Sequence, residues 1–179
     1  MIRLLVRDFQ WIKGMNDDPG DQCAHGRVIL NVNDTEFVKP EDGIWTISAS
    51  ALYLLRTLSE NHTAENSVAE SNFLFPCCGF KVWQIGNRFK VICMGCNNGI
   101  DLEIIHQEDM VTISSSVSSE TVSKSEWTSA VLDFTDSVRK FYRSSLPKVA
   151  IEDEFDNQGW AAFWQEWDER YHLATALSG

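Results

Sequence analysis

Between Phe73 and Ser116 apolar and polar positions alternate with a period of two, and short strings rich in Gly and Asn break the runs. Such alternation marks strands with one buried face. Phe80 and Val82, then Phe89 and Val91, flank the turn residues Ile85, Gly86 and Asn87, which predicts a β-hairpin over Phe80 to Cys93. A second turn, Met94 to Gly99, leads to Ile100, Leu102 and Ile104 on one face and Asp101 and Glu103 on the other. Gln107 to Asp109 then turns the chain into Val111, Ile113 and Ser115. A meander of this kind must bury its apolar face, and helical patterns on both sides of it supply the cover.

The N-terminal third adds further strands. Ile2 to Trp11 carries Leu4, Val6 and Asp8 on alternate positions, and a turn-rich loop, KGMNDDPGDQ, separates it from a second strand with Val28, Leu30 and Val32. Asn33-Asp34 turns into Glu36 to Val38, and Pro40 to Gly43 turns into Trp45 to Ile47. Ser48 then reads as an N-cap for a helix from about Ala49 to Glu60, with Ala51, Leu52, Leu55 and Leu58 at helical spacing. Arg56 falls off that line, in water or within reach of a carboxylate. Asn61 to Asn72 is polar and reads as a surface connection.

The C-terminal third is helical. Ser123 with Glu126 three residues later makes a capping box, and Trp127, Ala130, Val131, Phe134, Val138, Phe141 and Tyr142 follow at intervals of three and four, so the longest helix runs over Glu126–Ser144. Arg139, Lys140 and Arg143 suit its C-terminal dipole. After Pro147 and an acidic loop, Trp160, Phe163, Trp164, Trp167 and Tyr171 form a second stripe. Core packing is the first explanation of such a stripe; the other is a set of part-exposed aromatic anchors with an acidic rim, the composition of a binding hot spot. The prediction is one α+β domain over 1–179: an antiparallel sheet of about five to eight strands, a meander, covered by two or three helices.

Composition narrows what such a domain does. The formal net charge of −11 and pI of about 4.7 disfavour direct nucleic-acid binding, which needs clustered Lys and Arg, and suit a basic partner whose encounter the charge accelerates. The longest apolar runs are too short for a membrane span and the first residues lack a cleavage signal, so a soluble cytoplasmic protein is expected. The chain contains no Gly-rich phosphate loop, His-Glu-x-x-His helix or Gly-x-Ser-x-Gly elbow, and no enzyme is expected.

Cysteine carries the sharpest chemistry. Cys93-x-x-Cys96 has knuckle spacing for a tetrahedral ion, and Cys77 and Cys78 lie fifteen to nineteen residues before it, with His106, Cys23 and His25 as spare ligands. The adjacent pair departs from Cys-x-x-Cys, and both its thiols reach one metal only if Pro76 to Gly79 turns. The alternative is that these are buried reduced thiols. A structural zinc is the single cofactor the residues suggest.

The strings WTSAVLDFTDSVRKFYRSSLPK and DNQGWAAFWQEWDER, with the central Cys-Cys-Gly and Gly-Cys-Asn-Asn-Gly-Ile-Asp, resemble bacterial immunity proteins of contact-dependent growth inhibition and related polymorphic toxin systems. The resemblance is one of pattern and covers about the last sixty residues. It implies a non-enzymatic cytoplasmic inhibitor that binds a cognate toxin domain, often a nuclease, and blocks its active site or substrate surface. Such proteins vary at the toxin-facing surface, so interface candidates follow from charge and expected exposure alone: Asp17, Asp18, Asp21, Glu152, Asp153, Glu154 and Asp156. The competing reading is a zinc-stabilised adaptor or regulatory domain organised by Cys77, Cys78, Cys93 and Cys96.

Overall fold

A computed structural model describes residues 1–12, 16–70, 72–79, 81–86 and 88–177. Phe80 and Asn87, expected at the start and turn of the central hairpin, lie outside the described residues, as do Lys13, Gly14 and Met15 of the first loop. The fold is α+β with antiparallel strand pairing throughout. The chain opens with β1 (Ile2–Trp11), β2 (Ala24–Val32), β3 (Thr35–Val38) and β4 (Trp45–Thr46), and the first helix, α1 (Ile47–Arg56), follows directly. Next come β5 (Phe75–Pro76), β6 (Lys81–Gln84), β7 (Val91–Met94), β8 (Gly99–Ile100), β9 (Glu103–Gln107), β10 (Met110–Ser114) and β11 (Ser119–Ser123). Two long helices, α2 (Lys124–Ser144) and α3 (Glu154–Leu177), complete the chain.

Among the described residues the strands are shared by four sheets instead of one meander. In the largest, β1 pairs along β2 from Ile2↔Val32 to Trp11↔Ala24, while β3 and β4 share the other edge of β2. A bulge between Arg7 and Gln10, where Asp8 adopts φ 53°, re-aims the end of β1 so that Trp11 turns into the core. β9, β10 and β11 form a three-stranded sheet, β6 and β7 a hairpin, and β5 pairs with β8. That last pairing breaks the meander, because residues 99–100 return to residues 75–76 and bracket the hairpin between them.

The first helix starts two residues before the predicted position. Thr46 precedes its first turn, Ser48 lies inside it, and after Arg56 the chain continues to Glu60 in single turns. All ten of its residues are buried, including the polar Ser48, Ser50 and Arg56. It packs against β2, β5, α2 and α3, and so forms the centre of the molecule. α2 lies across β1 and the end of β11. Its capping box is formed as predicted: Glu126 N–H donates to Ser123 Oγ at 3.2 Å, and Ser123 N–H to Glu126 Oε2 at 3.2 Å. Trp127, Val131, Phe134 and Val138 point into the core.

α3 covers the β6–β7 hairpin. The approach is backbone-close, since a Cβ on Gly159 would lie 1.7 Å from the Val82 carbonyl oxygen. Trp160, Phe163 and Trp167 are buried, and Trp164 and Tyr171 half-buried, so this stripe belongs to the core. Its rings continue a chain of contacts from Phe163 through Trp164 to Tyr142, Trp11 and Phe141. No helix among the described residues is long and apolar enough to cross a membrane.

Candidate functional site

Three thiols meet where the 73–79 and 94–100 segments are pinned together. β5 pairs with β8, and Cys77 N–H donates to Asn98 O at 2.8 Å. The chain bends at Cys77, which is the turn that lets adjacent side chains share one side. Gly95 sits directly on Cys78: a Cβ there would be 2.3 Å from the Cys78 carbonyl oxygen, so only glycine admits this contact. The result is that the Sγ atoms of Cys77, Cys78 and Cys96 all lie within 4.8 Å of one another, with Cys77 and Cys78 at 4.0 Å. These three residues could hold a metal ion.

The electrostatics divide the three. Hydrogen bonds from Cys78, then Cys77 and the backbone amides of Cys96 and Asn98, hold the exposed Cys96 thiol below its ordinary value. Burial, followed by its hydrogen bond to Cys96, pushes Cys77 up to about 11. Cys96 is therefore the more acidic thiol of the two.

Cys93, expected as the fourth ligand, is outside this cluster. It alternates inward on β7 between Ile92 and Met94, is buried beside Tyr53 and Arg56, and burial pushes its thiol up to about 12. The knuckle spacing requires a loop that curls around the ion; here its first residue belongs to a paired strand. The spare ligands are also engaged elsewhere. His106 Nε2 donates to Thr57 O at 2.7 Å, and Cys23 is buried with its thiol 3.9 Å from Gly79 O. His25 Nε2 lies 3.2 Å from Thr46 Oγ1, whose hydroxyl also donates to Cys77 O at 3.1 Å.

The acidic candidates divide into structural and exposed groups. Asp21 is only 4% exposed and accepts from Ile12 N–H at 2.7 Å and Cys23 N–H at 3.0 Å, so it closes the first loop instead of facing a partner. Asp156 is buried at the start of α3 and pairs with Lys81. These two are corrected from interface to scaffold, because buried amides and a lysine need their carboxylates.

Asp17 and Asp18 lie on the loop that clamps the segment after α2. Asp17 pairs with Lys148 at 2.7 Å, and that hydrogen bond, followed by the one from Leu146 N–H, lowers its carboxyl below the ordinary range. Lys148 Nζ also sits 3.4 Å from the Trp11 ring centre, while Val149 N–H donates to Pro19 O at 3.0 Å. Asp18 accepts from Gly20 N–H at 2.8 Å. Glu152, Asp153 and Glu154 follow a few residues on and are exposed. Asp153 caps α3 by accepting Asp156 N–H at 3.0 Å. Four apolar side chains in the same stretches of sequence are exposed: Ile12 (52%), Leu146 (50%), Val149 (54%) and Phe155 (54%), the last against Trp83 with ring centres 6.0 Å apart.

Residues distant in sequence also bring Ser67, His62 and Asp101 together in the order of a hydrolytic triad. His62 Nε2 is 3.2 Å from Asp101 Oδ1, and Ser67 Oγ is 3.5 Å from Nδ1. The hydrogen bonds run the wrong way for attack: Nδ1 accepts from Val68 N–H at 3.0 Å, and the Ser67 hydroxyl donates to Ala69 O at 2.6 Å. This group braces the 61–72 connection, where His62 pairs with Ile104 in a β-bridge.

A larger polar element was invisible in the pattern. Arg56, 1% exposed, is held by Glu166 through Nε at 2.8 Å and Nη2 at 2.9 Å, and it donates to Val68 O and Val91 O. Glu166 in turn accepts from Lys90 N–H, Val91 N–H and Arg170 Nε. Burial raises the Glu166 pKa, but Arg56 and then Arg170 outweigh it, leaving the carboxyl below the ordinary value.

Comparison with protein-family models, with curated proteins and with solved structures finds no match for this chain.

Proposed function

We propose that the protein is a non-enzymatic binding protein of the immunity type, which neutralises a basic toxin domain through the end of the molecule formed by the 16–22 loop and the 145–155 connection. The observation that carries this reading is the composition of that end. Ile12, Leu146, Val149 and Phe155 are exposed, and the 16–22 loop is joined to the 145–149 segment by the Leu146–Asp17 and Val149–Pro19 hydrogen bonds. Glu152, Asp153 and Glu154 are exposed a few residues on, so this part of the chain offers both apolar anchors and carboxylates. Anchors of this kind supply affinity on desolvation, and the carboxylates attract a basic partner and fix its orientation. A nuclease domain, whose substrate-binding surface is basic, fits that chemistry. The likeness of the C-terminal strings to immunity proteins supports the same class, as does the net charge of −11. The test is co-expression with the C-terminal domain of a large exported protein encoded beside this chain: growth is rescued and a one-to-one complex forms. Persistent toxicity without a complex overturns the reading.

A second reading, a zinc-stabilised adaptor or regulatory domain, is favoured by the convergence of Cys77, Cys78 and Cys96. The two are compatible, because a zinc ion at that place would brace the 73–79 and 94–100 segments without occupying the acidic end. Zinc content after purification under reducing conditions and without chelator decides it.

A further inference from the structure

We propose that Cys77, Cys78 and Cys96 bind one Zn2+ ion as a three-thiolate site whose fourth position is open to water or an external ligand, with Cys93 outside the coordination shell. The proposal rests on the zinc reading above and specifies its ligand set. Zn–S bonds of about 2.3 Å place tetrahedral ligand sulfurs roughly 3.8 Å apart. Cys77 and Cys78 already stand at 4.0 Å, and all three sulfurs lie within 4.8 Å, so closure on an ion needs side-chain shifts of about 1 Å or less by this geometry.

The backbone fixes both halves of the site. β5–β8 pairing and the Cys77–Asn98 hydrogen bond hold one segment to the other, and the Gly95 contact seats the 94–98 turn on Cys78. A fourth protein ligand is not at hand among the described residues. Cys93 faces the core on its strand, His25 is joined to Thr46 Oγ1, and Cys23 is buried against Gly79 O. Cys96 is exposed, so solvent reaches the remaining position. Binding converts three thiols to thiolates, with the protons released to buffer and no change of oxidation state.

The experiment uses the full reduced chain, Zn2+ alone as probe, native mass spectrometry for stoichiometry and iodoacetamide labelling read residue by residue. Wild type and Cys93→Ala each take one Zn2+; Cys78→Ser and Cys96→Ser lose at least about tenfold in affinity, equivalent to 1.4 kcal/mol. Zinc also suppresses labelling of Cys77, Cys78 and Cys96 in the unmutated chain, a readout independent of whether any variant folds. If Cys93→Ala loses zinc as Cys96→Ser does while wild type binds it, or if zinc shields Cys93 and not Cys96, the open three-thiolate site is overturned and the zinc reading stands. If wild type takes no Zn2+, both fall.

Discussion

Replacing Glu166 with Gln tests what holds the helical half of the molecule to the hairpin. The Glu166 carboxylate receives five hydrogen bonds, two from Arg56 and one each from Arg170, Lys90 N–H and Val91 N–H. Glutamine keeps the shape but removes the charge and turns one acceptor oxygen into a donor. Arg56, 1% exposed, is then left charged with no carboxylate. Breaking a buried pair from one side costs about 3–5 kcal/mol, because the remaining charge stays desolvated. With a urea slope of about 2 kcal/mol/M, the unfolding midpoint followed by circular dichroism falls by roughly 1.5–2.5 M. The same carboxyl sets an acid limb. Its folded pKa is depressed, so its stabilisation is present above about pH 4.3, where an unfolded Glu titrates, and is lost as pH falls through the lower folded value. The Gln variant lacks that limb. A midpoint shift below about 0.5 M, the size expected of a solvent-screened pair, would refute the buried network as a stabilising element.

Three other substitutions test separate parts of the fold. Phe134→Ala empties a fully buried position on α2 and lowers stability by about 3–5 kcal/mol in denaturant titration, while the folded fraction keeps its partner affinity. Ser123→Ala removes the cap of α2 and costs about 0.5–2 kcal/mol, with Ser123→Asp restoring most of it. Gly159→Ala would gain about 1 kcal/mol in an open helix; here the added Cβ meets the Val82 carbonyl at 1.7 Å, and the thermal midpoint drops instead.

Local rules made the α+β class, β1, β2, the capping box and α2 legible, because each depends on residues a few positions apart. The Ser123/Glu126 pair and the three-four spacing from Trp127 onward define one helix with little competition. The start of α1 was misplaced because Ser48 has good capping chemistry, yet tertiary contact carries the helix back to Ile47, where the chain leaves β4. The division into several sheets was hidden for a related reason. Pairing of residues 75–76 with 99–100 joins strands separated by an entire hairpin, and no local pattern encodes that contact.

At the sites the same distinction holds. Spacing drew attention to the cysteines but selected Cys93, whose direction is fixed by strand alternation, and the real convergence depends on the bend at Cys77 and on Gly95. Charge drew attention to the acidic loops but not to which carboxylates are consumed within them. Asp21 and Asp156 carry the same charge as Glu152 and Glu154 and differ from them in burial and in the groups they meet. For Arg56 the pattern leaves water and a carboxylate equally open, and the carboxylate it meets is 110 residues away.

The most direct measurement of the central proposal is the association kinetics of the unmutated chain and the Glu152→Gln/Asp153→Asn/Glu154→Gln variant with the domain used in the co-expression test, at low and high salt. Asn at 153 retains the cap of α3, so the comparison isolates charge. Tight one-to-one binding, with association slowed several-fold by the variant at low salt and the difference shrinking as salt rises, is the predicted result. Equal association rates at low salt would contradict the acidic end as the interface, and absence of a complex would contradict the immunity reading itself.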